Sequence, residues 1–165
     1  MKDKLFIELF LPRKTLLLNA VYSIVLGGVT VLLLMTQGVL SLNPWYSPSY
    51  MIPLGGMIFA SSMNGISLAA ERLESELKQG QPYEKAKVIA LRTSLIPITN
   101  MLLAVGLVSL PGMMTGQILA GVSPLIAVRY QIMVMCMIFG SSGISAAVFL
   151  HSAKDSFTEN KNRFE

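Results

Sequence analysis

Four stretches of this chain run almost uninterrupted in apolar residues, at about 16–36, 51–70, 96–121 and 125–150, and Arg129 is the one charged residue inside them. Each is near the roughly 20 residues that a helix needs to cross the hydrocarbon of a bilayer. No strand-like alternation competes with them. The pattern predicts an all-α, polytopic membrane protein, a single membrane domain over 1–165 with about four transmembrane helices. The two longer runs leave room for tilt or bending. No repeat of 20–50 residues is visible.

The connections differ sharply in character. Residues 41–50, Ser-Leu-Asn-Pro-Trp-Tyr-Ser-Pro-Ser-Tyr, are uncharged and rich in turn formers, with Trp45, Tyr46 and Tyr50 placed as an interfacial aromatic belt. The connection 121–124 is Gly-Val-Ser-Pro: Gly121 suits a helix end, Ser123 a cap and Pro124 a first helical position. The connection 71–95 is longer and charged. Glu71–Gln79 can continue the second helix, with Leu73 and Leu77 on one face. Gly80-Gln81-Pro82 then breaks it, and Tyr83–Ser94 restarts a helix. Taken alone, this helix–Gly–helix fits either a coupling element between two spans or an ordinary solvated loop.

Composition agrees with the pattern. At 53% hydrophobic, 13% charged and a mean hydropathy of +0.60, the chain is too apolar for a soluble domain. The net charge of +4 reflects topology, and no nucleic-acid binding is read into it. Lys2, Lys4, Arg13 and Lys14 precede the first run, five Lys or Arg residues from Arg72 to Arg92 lie between the second and third, and Lys154, Lys161 and Arg163 follow the fourth. The positive-inside rule therefore places both termini and the 71–95 loop in the cytoplasm of a cell-membrane protein. Asp3 and Glu8 interrupt the N-terminal basic region, so no cleavable signal pattern is read there. The lone Cys136 and lone His151 exclude a disulfide within the chain or a histidine metal cluster.

Within the third run, Pro111 and Gly112 interrupt a helix at a depth where lipid offers no replacement hydrogen bond. Such a break is either a packing kink or a place where cargo is held. Met113 and Met114 follow directly. Thioethers suit soft ions, and methionine is also a common gap-filler. Polar residues inside the runs include Asn64, Asn100, Ser109, Gln117 and Gln131, suited to interhelical bonding. No Asp, Glu, Lys or His lies deep in any run, which argues against a proton-coupled carrier. Energy would then come from outside the chain, which itself lacks a phosphate-binding loop of the Gly-x-x-x-x-Gly-Lys-Ser/Thr kind.

The stretch Gly106–Val134, with Val-Ser-Leu-Pro-Gly-Met-Met-Thr-Gly, Ala120-Gly121, Pro124 and Arg129-Tyr-Gln-Ile-Met133, resembles the FetB-type permeases. These are membrane subunits of bacterial iron exporters of the ABC class, related to plant aluminium-tolerance membrane proteins. The resemblance extends back through Ile52-Pro-Leu-Gly-Gly-Met57 and Asn64 to cover about 14–150. It implies a permease with no catalytic residues or cofactor of its own, driven by a separate ATP-binding-cassette ATPase, homodimeric, and exporting iron or another metal ion. It also implies a coupling role for Glu74, Glu76, Gly80, Pro82 and Glu84, since coupling segments of ABC importers place a glutamate six residues before a glycine, as Glu74 and Gly80 are. Met113, Met114, Gln117, Asn100 and Asn64 become candidates for the ion pathway, and Pro111–Gly112 for a compliance point. Family members carry further hydrophobic segments before the matched region, so the chain is expected to be a partial permease. The competing expectations are an ATPase-independent four-span carrier or assembly factor, and a non-functional truncation.

Overall fold

The computed structural model describes residues 2–41, 43–44, 46–104 and 112–154, with side chains described from Leu16 onward. Among the described residues, five α-helices form: α1 Lys2–Leu33, which runs on through a π-helical turn at Leu34–Val39, α2 Pro48–Lys78, α3 Tyr83–Ala104, α4 Gly112–Leu119 and α5 Pro124–Ser152. Among the described residues, four helical stretches are long and apolar enough to cross a membrane: Leu16–Val39, Pro48–Lys78, Tyr83–Ala104 and Pro124–Ser152. The outward side of α1 is apolar too, with Leu17, Leu18, Val21, Tyr22 and Val25 more than half exposed. A helix apolar on all sides belongs in hydrocarbon.

Helix α3 joins the helix expected over Tyr83–Ser94 to the first part of the third apolar run without interruption, over Tyr83–Ala104; residues 105–111 of that run lie outside the described residues. Pro97 sits inside this helix without ending it. On one side of it the Ser94 hydroxyl donates to Leu91 O (2.9 Å), and on the other the Thr99 hydroxyl donates to Leu95 O (2.8 Å). Upstream, Ala86 and Ala90 are locked into the core, so the helix is held on packing where propensity alone would break it. The described part of α4 has eight residues, Gly112–Leu119, about 12 Å of helix.

Helices α2 and α5 form the central pair, and α1 and α3 each pack against both. The central pair is parallel: Ser61 and Ser62 meet Ser141, and Gly65 meets Ser142. By contrast α1 runs antiparallel to α5, with Asn19 beside Ser152 and Gly27 beside Ser145. Lipid supplies no hydrophobic drive between apolar helices, so association relies on close approach and interhelical hydrogen bonds. The middle of the bundle is built for this. A Cβ added at Gly27 or at Gly65 would lie 2.3 Å from the hydroxyl of Ser145 or Ser142 respectively. Small residues of α5, Ser141, Ser142 and Ser145, thus bring the helices together, whereas Gly140 faces open space.

This serine belt separates two apolar clusters. One surrounds Leu73, Ala86, Phe149 and Leu150 at the end of the bundle that carries Gly80. The other joins Val31, Leu54, Ile58 and Val134 toward the end that carries Gly121.

Candidate functional sites at the two ends of the bundle

At one end, α2 and α3 are joined by a four-residue turn. Gly80 has φ +81°, a left-handed conformation that glycine adopts without the Cβ penalty. Gly80 N–H donates to Leu77 O (3.0 Å) and Gln81 N–H to Glu76 O (3.1 Å), the paired bonds of a Schellman C-cap. Pro82 then opens α3, its carbonyl accepting from Lys85 and Ala86. The helix–Gly–helix reading of the sequence therefore holds for the local structure. Gln79, Gly80, Gln81 and Pro82 are all exposed, so the tip is free to meet another protein.

The acidic residues singled out for coupling divide into two kinds. Glu74 and Glu84 are exposed and ion-paired, with Lys78 (2.7 Å) and Lys154 (3.1 Å). Glu76 is turned inward, 5% exposed, and pairs with Arg72 one turn back on the same helix. It can brace the end of α2 and cannot present its carboxylate to a partner. Two residues the sequence did not single out hold this end together. The Tyr83 hydroxyl donates to Leu150 O (2.6 Å), and the Asn19 amide donates to Ser152 O (3.1 Å). Both satisfy carbonyls in the last turn of α5, which lack intrahelical partners. The start of α3 is thereby tied to the end of α5, and no periodicity in the sequence signals a bond between residues so far apart.

At the other end lies a cleft of about 270 Å³ between the start of α2, α4 and the start of α5, lined among others by Tyr50, Pro53, Met113, Gln117, Tyr130 and Met133. A second Schellman cap fixes its α4 wall: Gly121, φ +87°, donates to Ile118 O, and Val122 N–H donates to Gln117 O, both at 3.0 Å. Ser123 takes the N-cap position of α5, but its hydroxyl makes no capping bond. Of the pathway candidates, the structure brings Met113 and Gln117 together on this cleft. Met114 is half-buried and does not line it. Asn64 and Asn100 are exposed on α2 and α3, away from it. Gly112 opens α4 in open space, whereas Pro111, Ser109 and Trp45 lie outside the described residues. Gln117 Oε1 is buried and lacks a hydrogen-bond partner. Among the described residues, no group of three or more His, Cys, Asp or Glu could hold a metal ion.

The family profile described as "Uncharacterised protein family (UPF0014)" matches residues 11–88 and 81–157. A UPF0014 membrane protein of Synechocystis is 44% identical over 137 residues, covering 73% of this chain and 53% of the relative. The Probable iron export permease protein FetB of Escherichia coli is 30% identical over 152 residues, 83% of this chain and 57% of the relative. Protein ALUMINUM SENSITIVE 3 of Arabidopsis thaliana is 34% identical over 127 residues, 68% of this chain and 46% of the relative. The chain thus spans about half the length of these relatives. No solved structure matches.

Proposed function

The chain belongs to the UPF0014 family of membrane proteins, and on that premise we propose that it acts as the membrane subunit, or part of the membrane subunit, of an ABC-type exporter of iron or another metal ion. A separate ATP-binding-cassette ATPase supplies the energy, docking at the Gly80 end, which faces the cytoplasm along with both termini. The observation that carries this reading is the exposed, Schellman-capped turn joining two long helices, with Tyr83 tying it to α5. A push on the turn moves α3 directly, and through the Tyr83 and Glu84 contacts it also moves the end of α5. Two helices of the bundle thus respond to one docking event. Glu74, Gly80, Pro82 and Glu84 form the docking face, and Glu76 stiffens it from within. Of the pathway candidates, Met114, Asn64 and Asn100 lie off the Gly121 cleft and are the candidates left for contact with cargo, Met113 and Gln117 lying on it, and a homodimer of the membrane subunit is its working form.

Deleting the whole coupling segment would remove the buried Glu76 and Ala86 and unfold the end of the bundle. Surface changes make the better test. The triple variant Glu74→Lys, Gln81→Trp and Glu84→Lys alters exposed positions only. It should keep its thermal midpoint and lose co-purification with a co-expressed ATPase subunit. Intact co-purification would sink the docking assignment.

A further inference from the structure

Among the described residues, no charged side chain lines the cleft at the Gly121 end. It offers the Gln117 carboxamide, the hydroxyls of Ser49, Tyr50 and Tyr130, and the two thioethers of Met113 and Met133, against a wall that is otherwise aliphatic. An anion would find no cation here, and a hard divalent cation no carboxylate or imidazole. The volume of about 270 Å³ lies just below the usual range for sites that enclose a whole organic molecule and exceeds what one ion needs. Gln117 Oε1 is buried without a donor, a state that a buried acceptor normally avoids. A single ordered water could bond Gln117 and a neighbouring hydroxyl but would leave the apolar part of the volume unfilled. A hydroxyl on a larger apolar molecule supplies the missing hydrogen bond while its carbon skeleton fills the rest. It does so whichever way the amide is turned, since a hydroxyl both donates and accepts.

We propose that this cleft binds a neutral amphiphile through its hydroxyl-bearing end, the glycerol end of a monoacylglycerol-type lipid. The elements that line it also carry strongly exposed apolar side chains, Ile52 on α2, Leu119 on α4 and Leu125 on α5, which in a bilayer face hydrocarbon. The acyl chain can therefore remain in the lipid phase while the glycerol enters the cleft. Methionine walls suit such an occupant, because thioether side chains adapt to irregular apolar shapes. Gln117 is the hydrogen-bonding anchor, with Tyr130 and Ser49 available to the second hydroxyl.

The test uses the full chain in phosphatidylcholine nanodiscs and a monoacylglycerol probe with a diazirine in its acyl chain, with labelled peptides mapped after photolysis. Labelling of the peptides containing Met113–Gln117 and Tyr130–Met133 should saturate and be competed by unlabelled monoolein. Labelling of the Leu17–Val25 face of α1 should rise in proportion to probe and not be competed. Gln117→Leu should weaken the saturable component about fivefold, the loss of one buried hydrogen bond, without lowering the thermal midpoint. Methylating the hydroxyls of the probe should do the same. Unsaturable labelling at the cleft, equal to that on α1, overturns the proposal. So does stoichiometric silver(I) that displaces the probe and shields Met113 and Met133 from alkylation, which would make the cleft a soft-cation site. The measurement involves no ATPase, so its outcome is separable from that of the exporter reading.

Discussion

Replacing Gly27 with alanine tests whether close helix approach holds this bundle together. The new Cβ would lie 2.3 Å from Ser145 Oγ, 3.1 Å from Ser145 N and 3.2 Å from Ser145 Cα. Rotating the serine hydroxyl relieves the first contact. The other two involve the backbone of α5, so they yield only if α1 and α5 separate by about 0.3–0.5 Å to reach ordinary van der Waals distance. Overpacking of this kind destabilises by about 1–3 kcal/mol, and the gain of alanine over glycine in a helix returns about 0.5–1 kcal/mol. A net loss of about 1–2 kcal/mol is expected, read as a shift in the midpoint of unfolding when detergent micelles are titrated with dodecyl sulfate. Gly56→Ala and Gly140→Ala, where a Cβ meets nothing within 4 Å, should leave stability unchanged or raise it. Ser145→Ala removes a buried hydroxyl that has no partner and should be neutral or stabilising. Combined with Gly27→Ala, it should recover part of the loss, because the 2.3 Å contact disappears and the backbone contacts remain. If Gly27→Ala proves as stable as Gly56→Ala, the helices are not held at this distance by the absence of a side chain, and the packing argument fails.

Tyr83→Phe keeps the ring and removes the 2.6 Å bond to Leu150 O; the same titration should show a loss of about 1 kcal/mol, and no change would mean that α5 is capped in some other way. Lys154→Met breaks the exposed pair with Glu84 and should leave the midpoint where it was, since solvent screens such pairs. For orientation, cysteines placed at Gln81 and Val122 in a Cys136→Ser background are treated with an impermeant maleimide on intact cells. Position 122 should react at once and position 81 only after permeabilisation; the reverse pattern would refute a cytoplasmic Gly80 end.

The four candidate membrane helices among the described residues and the two glycine turns were legible because they rest on local physics: long charge-free runs, and Gly–x–Pro or Gly–x–x–Pro at helix junctions. The continuity of α3 was less so. The charges of 83–94 suggest a helix distinct from the apolar run after it, whereas the two form one helix held by Ala86 and Ala90 in the core, a tertiary fact. The same holds for Glu76: its charge and position beside Gly80 suggest a surface role, and only the helix face settles that it turns inward toward Arg72. The cleft was half visible. Met113 and Gln117 stand out as polar or soft residues in an apolar run, but Tyr50, Tyr130 and Met133 join them only through the packing of α2 and α5. The Tyr83 bond to Leu150 spans 67 residues and leaves no trace in spacing.

Asn64 on α2 and Asn100 on α3 are both turned away from the core. Both lie within helices long and apolar enough to cross a bilayer, both are exposed, and neither makes a side-chain hydrogen bond among the described residues. Nearby Ser67 and Thr99 are exposed as well, but each hydroxyl bonds to its own helix, at Met63 O (2.9 Å) and Leu95 O (2.8 Å), and so tolerates lipid. A carboxamide has no such refuge. Left in hydrocarbon without a partner, each would be strongly unfavourable, and the exporter reading therefore predicts that protein or water covers them. Asn64→Leu should therefore stabilise the isolated chain in detergent and weaken association of two differently tagged copies, measured by co-purification. If stability rises while association and transport both persist, the asparagines look out on lipid headgroups and have no partner. If stability rises and only transport falls, the two amides line a wet path, and the pathway belongs beside them and not at the Gly121 cleft.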